Sequence, residues 1–280
     1  MYKILEKTQF SEKVFKFRIE APEMAKHAHA GQFLMVRANE CGERVPFTFA
    51  DWNTEEGWVE FIFMVVGKTT TMLSTYEAGD SIEDVTGPLG QPTEMGDGKW
   101  IVIGGGVGLA IAFPVARQLV ATGHEVHAIM GARTKDLLLL EDQFRTILDD
   151  DHIHITTDDG SYGEQGVVTA PEARILEAGE ADHIFCVGPV PMMKFATLTA
   201  QKYDTPIIAS LNPIMVDGTG ICGCCRVEVG GKTKFACVDG PDFDATQVDW
   251  DDLRARQGAY LAEEAQSLEA YKERSCGCQR

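Results

Sequence analysis

Between Leu211 and Cys237 the chain carries four residues of metal-binding type in the spacing Asp217-x4-Cys222-x2-Cys225-x11-Cys237. Thiolates gathered so closely ligate soft or borderline metals. The spacing is that of a [2Fe–2S] cluster loop with an aspartate in the first position. Such a cluster passes electrons one at a time. Two alternating segments, Arg226–Val229 and Thr233–Ala236, flank Gly230-Gly231, which predicts a tight hairpin. Counting outward from that turn sets Cys225 and Cys237 nearly opposite each other. Cys224 reads as pointing away from the ligand set, and Cys41 as an ordinary thiol.

A second group of residues suits a flavin. Arg44-Val45-Pro46-Phe47-Thr48 offers a guanidinium for phosphate, a rigid strand for the ring and a hydroxyl for N5, in that order. The same residues also describe an edge strand kept from aggregating by Pro46. Downstream, Val65-Val66-Gly67-Lys68-Thr69-Thr70 supplies backbone amides from Gly67 to Thr70 and two hydroxyls for a pyrophosphate. It is no triphosphate-binding loop, because Ile62 stands where the leading glycine belongs.

A third group suits a dinucleotide. The strand-like Trp100–Ile103 runs into Gly104-Gly105-Gly106-Val107-Gly108 and then a helical segment, Ala110–Ala121, ended by Gly123. Glycines there let the backbone approach phosphates at a helix N-terminus. Leu109 replaces the third glycine of a dehydrogenase fingerprint. Gly131-Ala132-Arg133 stands where an acidic residue would end the second strand, so a Rossmann dehydrogenase is the poorer reading. Cys186-Val187-Gly188-Pro189 is expected to bring a thiol and a glycine turn near a nicotinamide, with Met192 beside it. Met192 and Met193 also read as plain core. Arg133 suits a 2′-phosphate, whereas Asp158 and Asp159 suit a free 2′-hydroxyl. Residue types leave NAD and NADP both open.

These groups need a scaffold. Up to Gly98 the chain reads as short strands (the alternating Val14–Ile19, then Gln32–Val36, Pro46–Ala50, Val59–Val66 and Ser81–Val85), which predicts a small closed β barrel. From Trp100, strands at Trp100–Ile103, Glu125–Met130, Ile153–Thr157, His183–Val187 and Ile207–Ser210 alternate with helices at Ala110–Ala121, Lys135–Leu148 and Pro171–Ala178. That is the pattern of an α/β domain with a parallel sheet. The expected units are a barrel over 1–98, a nucleotide domain over 99–210, a cluster loop and hairpin over 211–245, and a helical tail over 246–280. The tail offers Trp250, Leu253, Tyr260, Leu261, Leu268 and Tyr271 for one face, to cover this chain or a partner.

Composition narrows the class. At 280 residues, with 44% hydrophobic residues and a mean hydropathy of −0.11, the chain is long enough for two domains. Ile101–Ile103 and Leu137–Leu140 are too short to span a bilayer, and no charged-then-apolar leader opens the chain. A cytoplasmic protein is expected, in which eight cysteines serve metal or redox chemistry rather than disulfides. A net charge of −18 argues against nucleic acid as a partner. It suits both docking to a basic protein surface and plain solubility.

Taken in order, the three groups resemble the ferredoxin–NADP reductase superfamily, in its branch with a C-terminal [2Fe–2S] loop, from about Tyr2 to Asp244. That branch includes the electron-transfer subunits of dihydroorotate dehydrogenase. It also includes the small (alpha) subunits of NADH-dependent reduced ferredoxin:NADP oxidoreductases, electron-bifurcating transhydrogenases also described as sulfide dehydrogenase beta subunits. The most specific element is Leu211-Asn-Pro-Ile-Met-Val-Asp217-Gly-Thr-Gly. Four cysteines hold the cluster in the dihydroorotate group and an aspartate supplies the first ligand in the transhydrogenase group, so Asp217 aligns the chain with the latter.

The resemblance implies FAD at Arg44, Pro46, Phe47, Thr48, Thr69 and Thr70. It implies NAD(H) at Gly104–Gly108, Arg133, Cys186, Gly188 and Pro189. Asp217, Cys222, Cys225 and Cys237 become the cluster ligands. Hydride would pass between NAD(H) and FAD and single electrons between FAD and the cluster. The implied partner is a larger flavoprotein carrying FAD and [4Fe–4S] clusters, through which ferredoxin is reached indirectly. Ser275-Cys276-Gly-Cys278 does not map onto the pattern and reads as a thiol-bearing terminus. Two alternatives are the dihydroorotate-type subunit and a zinc-binding structural subunit using Cys222, Cys225, Cys237 and a tail cysteine. The zinc reading leaves the glycine loop and Arg44–Thr48 unexplained.

Overall fold

The computed structural model describes residues 1–273; Cys276 and Cys278 lie outside the described residues. Strands β1 (Tyr2–Ser11), β2 (Val14–Glu20), β3 (Phe33–Arg37), β4 (Arg44–Asn53), β5 (Trp58–Met64), β6 (Ser81–Ile82) and β7 (Asp84–Leu89) make one antiparallel sheet. Its order is β6-β1-β2-β5-β4-β3-β7. The expected closed barrel is therefore a curled sheet with two ends. Only Glu83 separates β6 from β7 in the chain, so the sheet must curl until those ends nearly meet. Strand β1 has no counterpart in the sequence reading because Ile4 alone among its residues is fully buried, leaving no apolar alternation. Gly87, Pro88 and Leu89 form the end of β7. Inside the curl, Phe17, Phe49, Phe61 and Phe63 are fully buried, with Phe17 set edge-on to Phe63 at 5.1 Å. Short helices α1 (Pro22–Ala25) and α2 (Lys68–Ser74) add Met24, Ala25, Met72 and Leu73 to that core.

The second sheet is parallel, from β8 (Trp100–Gly105), β9 (Val126–Ala132), β10 (Ile153–Thr157), β11 (Glu164–Gln165), β12 (His183–Val187) and β13 (Ile207–Ser210). Around it lie α3 (Leu109–Ala121), α4 (Glu141–Arg145), α5 (Thr169–Glu177) and α6 (Val190–Lys202). The order β11-β10-β9-β8-β12-β13 means the chain builds outward from β8 on one side, then returns to β12 on the other. The switch point, where such sheets bind ligands, falls between β8 and β12. The helix expected over Lys135–Leu148 shrinks to a 3-10 turn at Lys135–Leu137 and the five-residue α4. Leu139 and Leu140 bury as consecutive residues, and Leu140 adopts φ 62°, through which a right-handed helix cannot run.

Helix α5 turns Glu172 inward. The side chain is wholly buried, neither carboxylate oxygen has a hydrogen-bond partner, and burial raises its pKa from 4.5 to about 9. The folded chain thus holds a proton that the unfolded chain releases above its ordinary carboxylate range. Between those two values the folded state binds more protons, so stability falls as pH rises, by about 1.4 kcal/mol per pH unit. Glu172→Gln removes this titration. Its urea midpoint at pH 8 should exceed the parent's, with a flatter decline from pH 5 to 9. A variant as pH-dependent as the parent would refute the buried acid.

The remaining elements carry the cysteines. Hairpin strands β14 (Arg226–Val229) and β15 (Lys232–Phe235) pair Arg226 with Phe235, through a turn of two positive-φ residues, Gly230 and Gly231. Helix α7 (Ala236–Asp239) contains Cys237, and β16 (Asp242–Asp244) joins β13 antiparallel. Helix α8 (Trp250–Gln257) is capped by Asp249, which accepts from the N–H groups of Asp251 and Asp252. It buries Trp250 and Leu253 against the nucleotide domain. Helix α9 (Leu261–Glu273) then reaches the first sheet, where Tyr271 packs on its core and Ser267 Oγ donates to Glu43 Oε1 at 3.4 Å. The expected helical tail consists of two helices over the described residues, and both lie on the body of this chain. Tyr260 and Leu261 stay exposed.

One core crosses the junction of the two sheets: Val14, Ala30, Ala50 and Ile62 pack with Trp100, Leu109, Phe113 and Ala116. Arg117 Nη1 pairs with Asp51 Oδ1 at 2.7 Å beside the same boundary. Thr93 Oγ1 donates to the half-buried Asp242 at 2.6 Å, tying the segment after β7 to β16. No described helix is long and apolar enough to cross a membrane.

Candidate cofactor and cluster site

The first half of β4 pairs with β3 alone, Arg44 opposite Arg37, Pro46 opposite Met35 and Thr48 opposite Phe33. Pairing with β5 begins only at Phe49. Residues 44–48 therefore keep a free backbone edge, where Pro46 with its missing N–H is tolerated. Phe47 turns into the sheet's core, stacked on Phe61 at 5.0 Å. Arg44 donates through Nη1 to Asp84 Oδ2 at 3.1 Å and through Nη2 to Thr86 Oγ1 at 3.2 Å, while its Nε is buried without a partner. A buried donor left unsatisfied beside a free strand edge fits a ligand that brings acceptor oxygens and a flat ring. Val65 is half-buried, and Gly67 faces open space where a Cβ would stand. The threonines are already engaged. Thr70 Oγ1 accepts from the N–H groups of Val66 and Gly67 at 3.0 and 3.1 Å, clasping the start of α2. Thr69 Oγ1 donates to Glu43 Oε2 at 3.3 Å, and Lys68 Nζ pairs with Glu43 Oε1 at 3.2 Å.

At the switch point the glycines are required by close approach. A Cβ on Gly104 would lie 2.6 Å from Leu109 Cδ2, one on Gly105 2.4 Å from Met192 Sδ, and one on Gly108 2.6 Å from the Val187 carbonyl oxygen. The loops after β8 and β12 thereby touch. Gly188 sits against Gly105, with the Met192 methyl beside it, and the exposed Pro189 leads into α6. Gly106 faces open space, and Val107 is half-buried beside it. Along the same rim, the Asp158 N–H donates to the Ala132 carbonyl at 3.1 Å and the Asp159 N–H to that of Arg133 at 3.3 Å. Arg133, Asp158 and Asp159 are all exposed there.

Cys186 does not line this cleft. It is fully buried on the opposite face of β12, among Ile101, Ile103, Val190 and Met193. Burial pushes its thiol well up, and Glu172 adds to the rise. Strand alternation puts Phe185 and Val187 on the face shared with the first sheet instead.

Cys225 and Cys237 are buried, whereas Cys222 is exposed and Asp217 half-buried. The Cys237 N–H donates to Cys225 Sγ at 3.5 Å. Burial pushes the Cys237 thiol up to about 12, with Cys225 and then Cys222 contributing, which places the three thiols in one neighbourhood. The Cys237 thiol, so raised, keeps its proton until a metal displaces it. The Asp217 carboxylate accepts from the Thr219 hydroxyl and N–H, which hold its pKa low, and Arg44 lowers it further. Gly218, Gly220 and Gly223 take φ of 85°, 82° and 66°, so the loop can wind around a central group. A thiol-rich pocket with an ionised carboxylate at its rim fits an iron–sulfur cluster. The loop rests on β3: a Cβ on Gly218 would lie 2.7 Å from Met35 Cγ, and Phe33 and Met35 share a small core with Cys225 and Cys237. Phe33 and Met35 are the partners of Thr48 and Pro46. The cluster loop thus rests on the strand that neighbours Arg44–Thr48, about 5 Å across in the sheet.

Three family models tile the chain in the order of these regions: an oxidoreductase FAD-binding domain over residues 1–93, an oxidoreductase NAD-binding domain over 102–197, and the iron–sulfur cluster binding domain of dihydroorotate dehydrogenase B over 212–249. A Thermotoga maritima protein described as a dihydroorotate dehydrogenase B (NAD(+)) electron transfer subunit homolog is 47% identical, across 96% of this chain and 94% of its own. The chain belongs to this family of electron-transfer subunits. A Streptococcus mutans dihydroorotate dehydrogenase B (NAD(+)) electron transfer subunit is 30% identical over 88% of this chain and 96% of its own. A chain in the solved structure of an NADH-dependent reduced ferredoxin-NADP oxidoreductase, described for flavin-based electron bifurcation, superposes with a TM-score of 0.91. The two are 46% identical and cover 98% of each other.

As a member of this family, the subunit is an oxidoreductase with FAD-, NAD- and iron–sulfur-binding domains. The structure adds residues that sequence reasoning passed over. Asp84 and Thr86 hold Arg44, Glu43 sits over α2, Thr219 holds Asp217, and Met35 and Leu89 seat Gly218. Thr219 was findable, two residues beyond Asp217 as in an Asx turn. The others meet across long stretches of chain and left no local signal.

Proposed function

We propose that this subunit exchanges hydride equivalents between NAD(H) and FAD and passes single electrons through a [2Fe–2S] cluster to a larger flavoprotein. The enzyme would be of the NADH-dependent reduced ferredoxin:NADP oxidoreductase type. The observation that supports it most is the seating of the cluster loop on β3, the strand that pairs with Arg44–Thr48 of β4. Bound flavin supplies the conversion between paired and single electrons; the residues supply position and electrostatics.

In this reading Arg44 gives its unsatisfied Nε–H to the flavin phosphates, while Pro46, Phe47 and Thr48 shape the wall for the ring. Val65, Gly67, Thr69 and Thr70 border the pyrophosphate, Thr69 turning from Glu43 to do so. Gly104–Gly108, Gly188, Pro189 and Met192 receive the nicotinamide nucleotide, and Arg133 or Asp158 its ribose. Asp217, Cys222, Cys225 and Cys237 ligate the irons. Asp217 favours this assignment over the dihydroorotate-type alternative, whose partner is a different flavoprotein. The exit for electrons is the exposed rim at Cys222, where Ile221 is 87% exposed and Val216 and Val238 are also uncovered. A partner carrying FAD and [4Fe–4S] clusters would dock there and reach ferredoxin in turn. Thiols that must stay reduced accord with a cytoplasmic setting.

The test is anaerobic isolation with the native partner, then titration with NADH followed by optical and EPR spectra. Flavin bleaching with a reduced-cluster signal is expected. Flavin that bleaches beside a silent cluster, or material devoid of iron, would overturn the reading.

A further inference from the structure

At the amino ends of β9 and β10 the nucleotide domain gathers histidines that the electron-transfer reading leaves unused. His127 and His154 are the second residues of those strands, and His152 directly precedes β10. In a parallel sheet these ends lie opposite the carboxyl ends that hold Gly104–Gly108 and Gly188, so the group is remote from the cofactor side. His127 is only 6% exposed. Its Nδ1 lies 3.2 Å from His154 Nε2, so one of the two nitrogens donates and the other accepts. Its Nε2 is buried with no hydrogen-bond partner among the described residues, although Glu180 Oε2 lies 3.9 Å away. One ligand atom from each of Glu125, His127 and His152 lies within 4.8 Å of the others, a spacing that one ion can bridge. The His127 and His152 rings are 4.8 Å apart and tilted by 33°.

We propose that Glu125, His127 and His152 bind a zinc-class divalent cation, separate from the cysteine loop, with Glu180 beside the open coordination position. Imidazole and carboxylate donors suit zinc, whose structural sites are four-coordinate. His154 completes the arrangement. If the His127 Nδ1–H donates to His154, the Nε2 lone pair is left facing the two carboxylates, the orientation that an outer partner imposes on a ligating histidine. Lys99 Nζ, 3.2 Å from Glu125 Oε1, is a competing cation that the ion would displace. The ion would join two strand starts to the turn after α5, so its role is structural and NADH-driven flavin reduction should not need it.

The experiment uses whole, cluster-loaded subunit, washed with chelator, dialysed against zinc chloride and analysed for zinc, iron and flavin. The expected result is one zinc per chain beyond the cluster irons, with a rise in thermal midpoint on adding zinc. His127→Asn and Glu125→Gln should lose both the zinc and the rise while keeping iron, flavin and flavin reduction by NADH. His152→Asn, at a half-buried position, gives the same readout should the His127 variant fail to fold. Parent protein that takes up no zinc, or zinc that stays in all three variants, overturns the site. Zinc that enters only as iron leaves assigns it to the cysteines and does the same.

Discussion

Subunit carrying Cys225→Ser should be isolated with flavin but without iron, and NADH should still bleach that flavin. Reduction of a one-electron acceptor should fall by more than about 100-fold, since losing even an outer partner of a metal ligand costs up to that much. The reason lies in the setting of Cys225. It is buried against Phe33 and Met35 and receives the Cys237 N–H, so a serine hydroxyl there is a poor, protonated donor in an apolar pocket. Asp217→Cys should behave differently. Asp217 is half-buried at the edge of the loop rather than in its apolar pocket, so the change should keep the iron and move the cluster midpoint, because a soft thiolate replaces a hard oxygen. Iron content, EPR and a potentiometric titration separate the two outcomes. An unmoved midpoint would remove Asp217 from the ligand set.

The second large effect is expected at Gly108. An added methyl there would lie 2.6 Å from the Val187 carbonyl oxygen and 3.1 Å from Gly188 Cα, backbone atoms that cannot swing aside as a side chain does. Gly108→Ala must therefore part the loops after β8 and β12. Overpacking of this kind costs about 1–3 kcal/mol. The KM for NADH should rise roughly tenfold or more, tenfold being equivalent to about 1.4 kcal/mol, while iron and flavin contents match the parent. Gly106→Ala is the contrast, since it meets no atom within 4 Å and pays only for its φ of 56°. Equal KM values for the parent and Gly108→Ala would show that these loops do not receive the nucleotide.

What could be read from the sequence was whatever is local. The Gly230-Gly231 turn and the run from Trp100 to Gly108 are written in consecutive residues, and the structure builds both of them. Cys186 shows the limit. Its place in β12 was legible, but which face of a strand buried on both sides it occupies depends on the packing of α5 and α6. Similarly, Lys135–Leu148 has the composition of a helix, and tertiary burial of consecutive leucines overrides it. The engagement of Thr69 by Glu43 and the seating of Gly218 on Met35 join segments far apart in the chain. Neither leaves a trace in any window of residues.

The apolar cluster that straddles the two sheets has a dynamic corollary. For the halves to swing apart, Val14, Ala30, Ala50 and Ile62 would have to part from Trp100, Leu109 and Phe113, exposing apolar surface to water at about 25 cal/mol per Å². This shared core therefore opposes a hinge motion between the two sheets. A core shared in this way would fix the spacing between the Arg44–Thr48 strand and the cysteine loop as the chain folds, before either bound group arrives.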